Sequence, residues 1–145
     1  RSPISEFVLK DMVVKQGVAD KFYIASAATS TEEIWNGIGN PVYPPAKQEL
    51  AKHGISCEGK RAIQITKADY EKYDYILGME ERNIRNILQI VGRDPDHKVK
   101  RLLDYSKNPR NIADPWYTGD FESTYRDVKE GCEAFLKYLK KEDLL

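Results

Sequence analysis

Apolar residues recur at helical spacing in three long stretches of this chain and cluster without interruption in three short ones, which sets the expected order of elements. At the start, Ile4, Phe7, Val8 and Met12 make one stripe, with Gly17 placed to end the helix. Ser2 is expected to cap that helix, and Pro3 suits the first helical position because its missing N–H has no partner there. Residues 80–91 carry Ile84, Ile87, Leu88 and Val91 at the same spacing, and 121–141 carry Tyr125, Val128, Cys132, Phe135, Leu136 and Leu139 along one broad face. A shorter helix at 46–53 is closed by Gly54, and residues 66–69 can cap a further turn. Strands are expected at 22–26, 74–77 and 99–103 from their length and their β-branched or aromatic content. The segment 27–45 reads as a long loop rich in Gly, Asn and Pro, with a helical turn near Glu32, and 105–118 contains a second loop. Strands alternating with helices indicate an α/β layer fold with a mainly parallel sheet. Ligands in such folds collect at the carboxyl ends of the strands, where the chain entering Ser2, the loop after Ser26 and the loop carrying Asp114 can converge.

Composition narrows the functions open to that fold. A chain of 145 residues suits a single domain with a real core. Its 23 basic and 23 acidic side chains cancel, so no global field draws nucleic acid or an anionic membrane, and any anion binding is local. No apolar run approaches a membrane span, and the first residues resemble neither a signal nor a transit peptide. With only Cys57 and Cys132, and no CxxC spacing, neither a disulfide framework nor a zinc site is indicated, and a reducing, cytoplasmic setting is expected. Cys132 falls on an apolar stripe and is expected in the core, whereas Cys57 is expected to be an accessible loop residue. His53 and His97 lack ligand spacing, so no metal or other cofactor is expected. His53 falls near the C-terminal end of its helix, where a positive charge suits the dipole.

Three places can carry chemistry. Asp114-Pro115-Trp116-Tyr117 joins a loop carboxylate, a stiffening proline and two aromatic rings. A carboxyl shielded by rings can serve as general acid, although an Asp-Pro pair also makes an ordinary turn. Arg1 offers a planar fork of donors suited to phosphate beside the free N–H groups of the adjoining helix, or is a frayed terminus. Trp35, in Ile34-Trp35-Asn36-Gly37-Ile38, can wall a pocket for an aromatic ligand or fold back onto the core.

Together these pieces resemble the low-molecular-weight protein tyrosine phosphatases, over nearly the whole chain. The matching stretches are Arg1-Ser2-Pro3 with Glu6, Ser26-Ala27-Ala28-Thr29-Ser30, Gly37-Ile38-Gly39-Asn40-Pro41, His53-Gly54-Ile55, Lys60-Arg61-Ala62, Gln64-Ile65-Thr66, Asp74-Tyr75-Ile76-Leu77 and Ala113-Asp114-Pro115-Trp116-Tyr117. The resemblance implies a three-layer α/β sandwich around a four-stranded parallel sheet, in one domain spanning 1–145. It implies hydrolysis of phosphotyrosine without a cofactor, by a loop of cysteine, five residues, arginine and serine. Carried over, Arg1 resembles the phosphate-clamping arginine, Ser2 the hydroxyl that steadies the thiolate, and Asp114 the general acid and then base. Trp35, Trp116 and Tyr117 resemble the walls that receive the phenyl ring.

The sequence departs from that pattern by starting at the arginine, so neither the nucleophile nor the first strand falls within it, and neither Cys57 nor Cys132 has the required arginine spacing. Loss of an interior strand would expose two sheet edges, so the chain is expected to be an N-terminally incomplete member, inactive by itself. Ile63 stands where many relatives carry a basic residue. The resemblance further implies phosphotyrosine proteins or aryl phosphates as substrates, inorganic phosphate or sulfate as ligands, no nucleic-acid or membrane partner, and a monomer or weak dimer. Two other readings remain: an arsenate reductase of the same fold, which needs additional cysteines, and an inactive phosphotyrosine-binding module.

Overall fold

A computed structural model describes residues 1–30, 32 and 34–145; Glu33, beside the candidate wall Trp35, lies outside the described residues. The first helix, α1, spans Ser2–Lys15 and buries Ile4, Val8 and Val13. Its cap is Arg1 rather than Ser2, which lies inside the helix, so the expected capping by the Ser2 hydroxyl is corrected. The reason is a register shift of one: the Arg1 carbonyl already accepts the Ser5 N–H at 3.0 Å. Gly17 ends the helix as expected, in the left-handed region at φ +71°.

The expected strand at 22–26 is not one. Phe22 is extended, but residues 22–26 form no strand, and the pairing nearby falls later, in a parallel bridge between Ala28 and Gln64. An extended run becomes a strand only where a partner lies alongside it, and side-chain content cannot report that partner. The long loop after it holds a hairpin, β1 (Ile34–Trp35) and β2 (Ile38–Gly39), paired antiparallel. Its turn is Asn36-Gly37, both with positive φ (50° and 76°), the dipeptide that two-residue hairpins favour. At Gly39 a side chain would collide with the Ala62 backbone, so the hairpin lies close against residues 61–62. Ala62 N–H to Asn40 O at 2.8 Å and Arg61 Nη1 to Gly39 O at 3.0 Å hold it there.

Helix α2 (Pro44–Lys52) is followed by the single turn α3 (Asp69–Lys72), by β3 (Ile76–Gly78), by α4 (Glu81–Val91) and by β4 (Val99–Arg101). β3 and β4 pair in parallel, with Ile76, Leu77 and Gly78 opposite Val99, Lys100 and Arg101. The crossover through α4 is the βαβ unit expected from alternating strands and helices. A short turn α5 (Pro115–Thr118) precedes the long helix α6, Phe121–Lys141, whose bounds coincide with the predicted ones.

The period-two alternation of β3 divides the interior. Ile76 joins Tyr70, Ile87 and Val91 on the α4 side, while Tyr75 and Leu77 face the larger core of Ile4, Val8, Leu50, Leu103, Val128, Phe135 and Leu136. The result is α4 on one face of the sheet and α1, α2 and α6 on the other, an α/β sandwich of three layers. Cys132 is buried in the larger core as expected, and burial pushes its thiol up to about 12. Cys57 is a correction: it is buried in the same core, not accessible, because the chain returns beside Leu50, whose carbonyl accepts the Ile55 N–H at 3.0 Å, and points Ile55 and Cys57 inward with Ser56 exposed between them.

Candidate active site

Two junctions of the fold meet at Arg1. The first is the step from β3 into α4. Gly78 lets the chain turn closely there, since a Cβ would meet Ile84 Cδ1 at 2.9 Å and Asn83 Cβ at 3.0 Å. Asn83 Oδ1 accepts from the N–H groups of Met79 (3.0 Å) and Glu80 (3.1 Å), which fixes Glu80 as the cap of α4. The second is the loop before α5. Ile112 N–H donates to Met79 O at 2.9 Å, and Asn111 Oδ1 accepts from Glu81 N–H (3.1 Å) and Arg101 Nη1 (3.0 Å). The loop carrying Asp114 is thereby bound to the end of β3.

The Arg1 guanidinium spans both junctions. Nη1 donates to Ile112 O at 2.8 Å, Nη2 donates to Glu80 Oε1 at 3.1 Å, and Nη2 stands 3.6 Å from Asp114 Oδ2. Its side chain is only 11% exposed, which rules out a frayed terminus. Asp114 caps α5: Oδ1 accepts the Trp116 N–H at 3.0 Å, leaving Oδ2 turned toward Arg1. Asp114 thus makes the turn expected of an Asp-Pro pair and also presents a carboxylate oxygen to Arg1. Ser2 sits half-buried in the first turn of α1 beside Arg1.

The aromatic candidates form a looser ring. Trp116 and Tyr117 are 63% and 81% exposed on α5, and Trp35 is 77% exposed on the hairpin, so it does not fold back onto the core. Among the described residues no ring contact joins Trp35 to Trp116 or Tyr117. Two surface hollows of about 480 and 300 Å³ lie elsewhere, between α4 and β4 and between α2 and the start of α6; neither includes Arg1 or Asp114. Charge geometry, not depth, marks the site.

A buried carboxylate further along α1 ties other segments together. Glu6 on α1 accepts from Ser26 Oγ (2.7 Å) and Lys10 Nζ (2.7 Å) and pairs with Lys60 Nζ at 2.9 Å. Burial pushes its carboxyl up, but the Lys10, Ser26 and Lys60 hydrogen bonds together hold it below the usual carboxylate range. Lys60 also donates to Ser26 O at 2.8 Å, so α1, the start of the long loop and residues 60–64 are tied at one point.

Glu80 was not among the residues singled out by sequence, and no local signal marks it, because its partner Arg1 is 79 positions away. His53 caps the C-terminal end of α2 as expected, its Nε2 3.0 Å from Glu49 Oε2 and its ring stacked on Tyr125. Among the described residues no group of three His, Cys, Asp or Glu is placed to hold a metal ion, and no helix is long and apolar enough to cross a membrane.

A parallel α/β sandwich with an arginine at a helix start, facing an Asp-Pro carboxylate, has the layout of a small phosphatase. The family model described as low molecular weight phosphotyrosine protein phosphatase matches residues 1–144, and the chain belongs to that family. The chain is 35% identical to the low molecular weight protein-tyrosine-phosphatase YfkJ of Bacillus subtilis, over 100% of this chain and 92% of that protein. It is 39% identical to the low molecular weight phosphotyrosine protein phosphatase of Gallus gallus, over 94% and 87%. The crystal structure of YfkJ superposes with a TM-score of 0.89, covering 98% of this chain and 88% of that one.

Proposed function

We propose that the protein, as a single domain, hydrolyses phosphotyrosine in proteins through a cysteinyl-phosphate intermediate. The observation that carries the reading is the convergence of Arg1 and Asp114, 3.6 Å apart, within a chain of the phosphatase family. Arg1 is pre-oriented by Ile112 O and Glu80, so its remaining donors and the N-terminus of α1 receive the phosphoryl oxygens without reorganising. In the motif that the chain resembles, the thiolate precedes the arginine, and Ser2 hydrogen-bonds it. That thiolate attacks phosphorus as the bond to the tyrosyl oxygen breaks, and Asp114 gives its proton to the departing oxygen. The Asp114 carboxylate then takes a proton from water, which attacks phosphorus, breaks the S–P bond and releases phosphate. Trp35, Trp116 and Tyr117 receive the phenyl ring.

Arsenate reduction gains no support from the thiols present. Cys57 and Cys132 are both buried, and burial raises both, which suits neither to resolve a sulfur intermediate. Phosphate release from a phosphotyrosine peptide by the intact protein tests the reading. Asp114→Ala is expected to lower kcat by about 10²- to 10⁴-fold with the fold kept. Undiminished turnover in that variant would remove Asp114 from the mechanism.

A further inference from the structure

We infer that Tyr43 is a positioning residue for the general acid: it holds Trp116, and through Trp116 the turn that carries Asp114. The inference rests on the phosphatase reading above.

The need for such a residue arises from the size of α5. Four residues make one helical turn, and an isolated turn is unstable because each early hydrogen bond orders several dihedral angles. The turn is closed by Thr118 N–H to Asp114 O (3.2 Å) and Gly119 N–H to Pro115 O (2.8 Å). Tyr117 is 81% exposed, so besides the Arg1–Asp114 pair at its cap the turn relies on buried Pro115 and the Trp116 ring to hold it against the fold.

The Trp116 ring lies against Tyr43, with centroids 5.0 Å apart and planes at 54°. Tyr43 also meets the ring of Phe121, the first residue of α6, with centroids 6.0 Å apart. One ring thus grips the chain both before and after Gly119-Asp120. Tyr43 is itself fixed in place: it caps α2, its carbonyl accepts from Ala46 N–H (3.0 Å) and Lys47 N–H (3.1 Å), and Pro44 and Pro45 stiffen the first turn of that helix. Tyr43 is 48% exposed, so the ring pairing, rather than deep burial, describes what it does.

Trp116 connects this clasp to the chemistry, because its backbone N–H is the donor that orients Asp114 Oδ1. Releasing the ring frees the N–H, and the carboxyl loses its aim at the departing oxygen. The loss should fall on substrates that need the proton most. Tyrosine is a poor leaving group, its phenol having a pKa of about 10, whereas 4-nitrophenol is more acidic and departs with less help.

The test compares kcat/KM for a phosphotyrosine peptide and for 4-nitrophenyl phosphate in the intact protein, with Trp116 emission read in a Trp35→Phe background. Tyr43→Ala is expected to cut the peptide value about tenfold and the nitrophenyl value less than threefold, and to shift Trp116 emission to the red. Tyr43→Phe should restore both. Tyr43→Leu, which keeps an apolar body, replaces the alanine variant if that one does not fold. Equal slowing of both esters, a Phe variant as impaired as Ala, or an unmoved Trp116 emission would overturn the role of Tyr43. A wild-type protein that cleaves neither ester would instead overturn the phosphatase reading, and the inference with it.

Discussion

The floor and the rim of the site are built on opposite principles. On the floor, Arg1 is nearly buried and faces oxygens from Ile112, Glu80 and Asp114, all tied to the end of β3. On the rim, Trp35, Trp116 and Tyr117 are large rings standing mostly in solvent on a hairpin and a single turn. On the proposed function the phosphoryl group is the same in every substrate, so a receptor built on Arg1 can be ordered in advance, when no binding energy is needed to arrange it. On the same proposal the chain around a phosphotyrosine varies, and rings with two torsions each would adapt to it at small entropic cost.

The contrast breaks most easily at Arg1. In Arg1→Lys a point charge replaces a fork and cannot meet Ile112 O, Glu80 and a phosphoryl oxygen together. Steady-state kinetics of the intact protein should show kcat falling about 10²- to 10³-fold, and a lysine variant at wild-type rate would mean the floor is not pre-ordered.

Further along α1, Glu6→Gln should cost about 1–3 kcal/mol of stability at pH 7, because the gain comes from charge-assisted bonds to a buried carboxylate. The folded pKa of Glu6 lies below its ordinary 4.5, so its stabilisation is full above that value and is lost as the pH falls through the folded pKa. Urea midpoints of the two proteins should therefore converge in acid, and a constant gap would show that shape rather than charge matters.

Glu80→Gln keeps the shape of the Arg1 contact and removes its charge, for an expected loss of about fivefold in kcat/KM. At the rim, Trp35→Ala should change stability by less than about 0.5 kcal/mol and leave inhibition by inorganic phosphate untouched, while raising the KM for a peptide about threefold. Weaker phosphate inhibition in that variant would merge rim and floor into one unit.

Much of this architecture can be read along the chain. The last helix is legible to its bounds, because a long periodic stripe from Tyr125 to Leu139 carries its own evidence. The Asn36-Gly37 dipeptide is a turn signal too, yet strands of two residues on either side give no alternation to accompany it. At 22–26 composition pointed to a strand, and pairing, a property of two segments, decided otherwise. Asp114 stood out through its proline and rings, while Glu80, in an ordinary helix start, did not.

By itself the sequence determined what depends on neighbours a few positions apart: helix stripes, helix ends at Gly17 and Gly54, and a run of matching motifs sufficient to name a family. Tertiary structure alone decided that Arg1, Glu80, Ile112 and Asp114 meet, that Cys57 turns inward, and that Tyr43 reaches Trp116. The longest of these hydrogen bonds, between Arg1 and Ile112, joins residues 111 positions apart. Local free energies select conformations over a few residues, whereas a guanidinium finds its oxygens only after the packing of α1, α4 and β3 has brought their ends together.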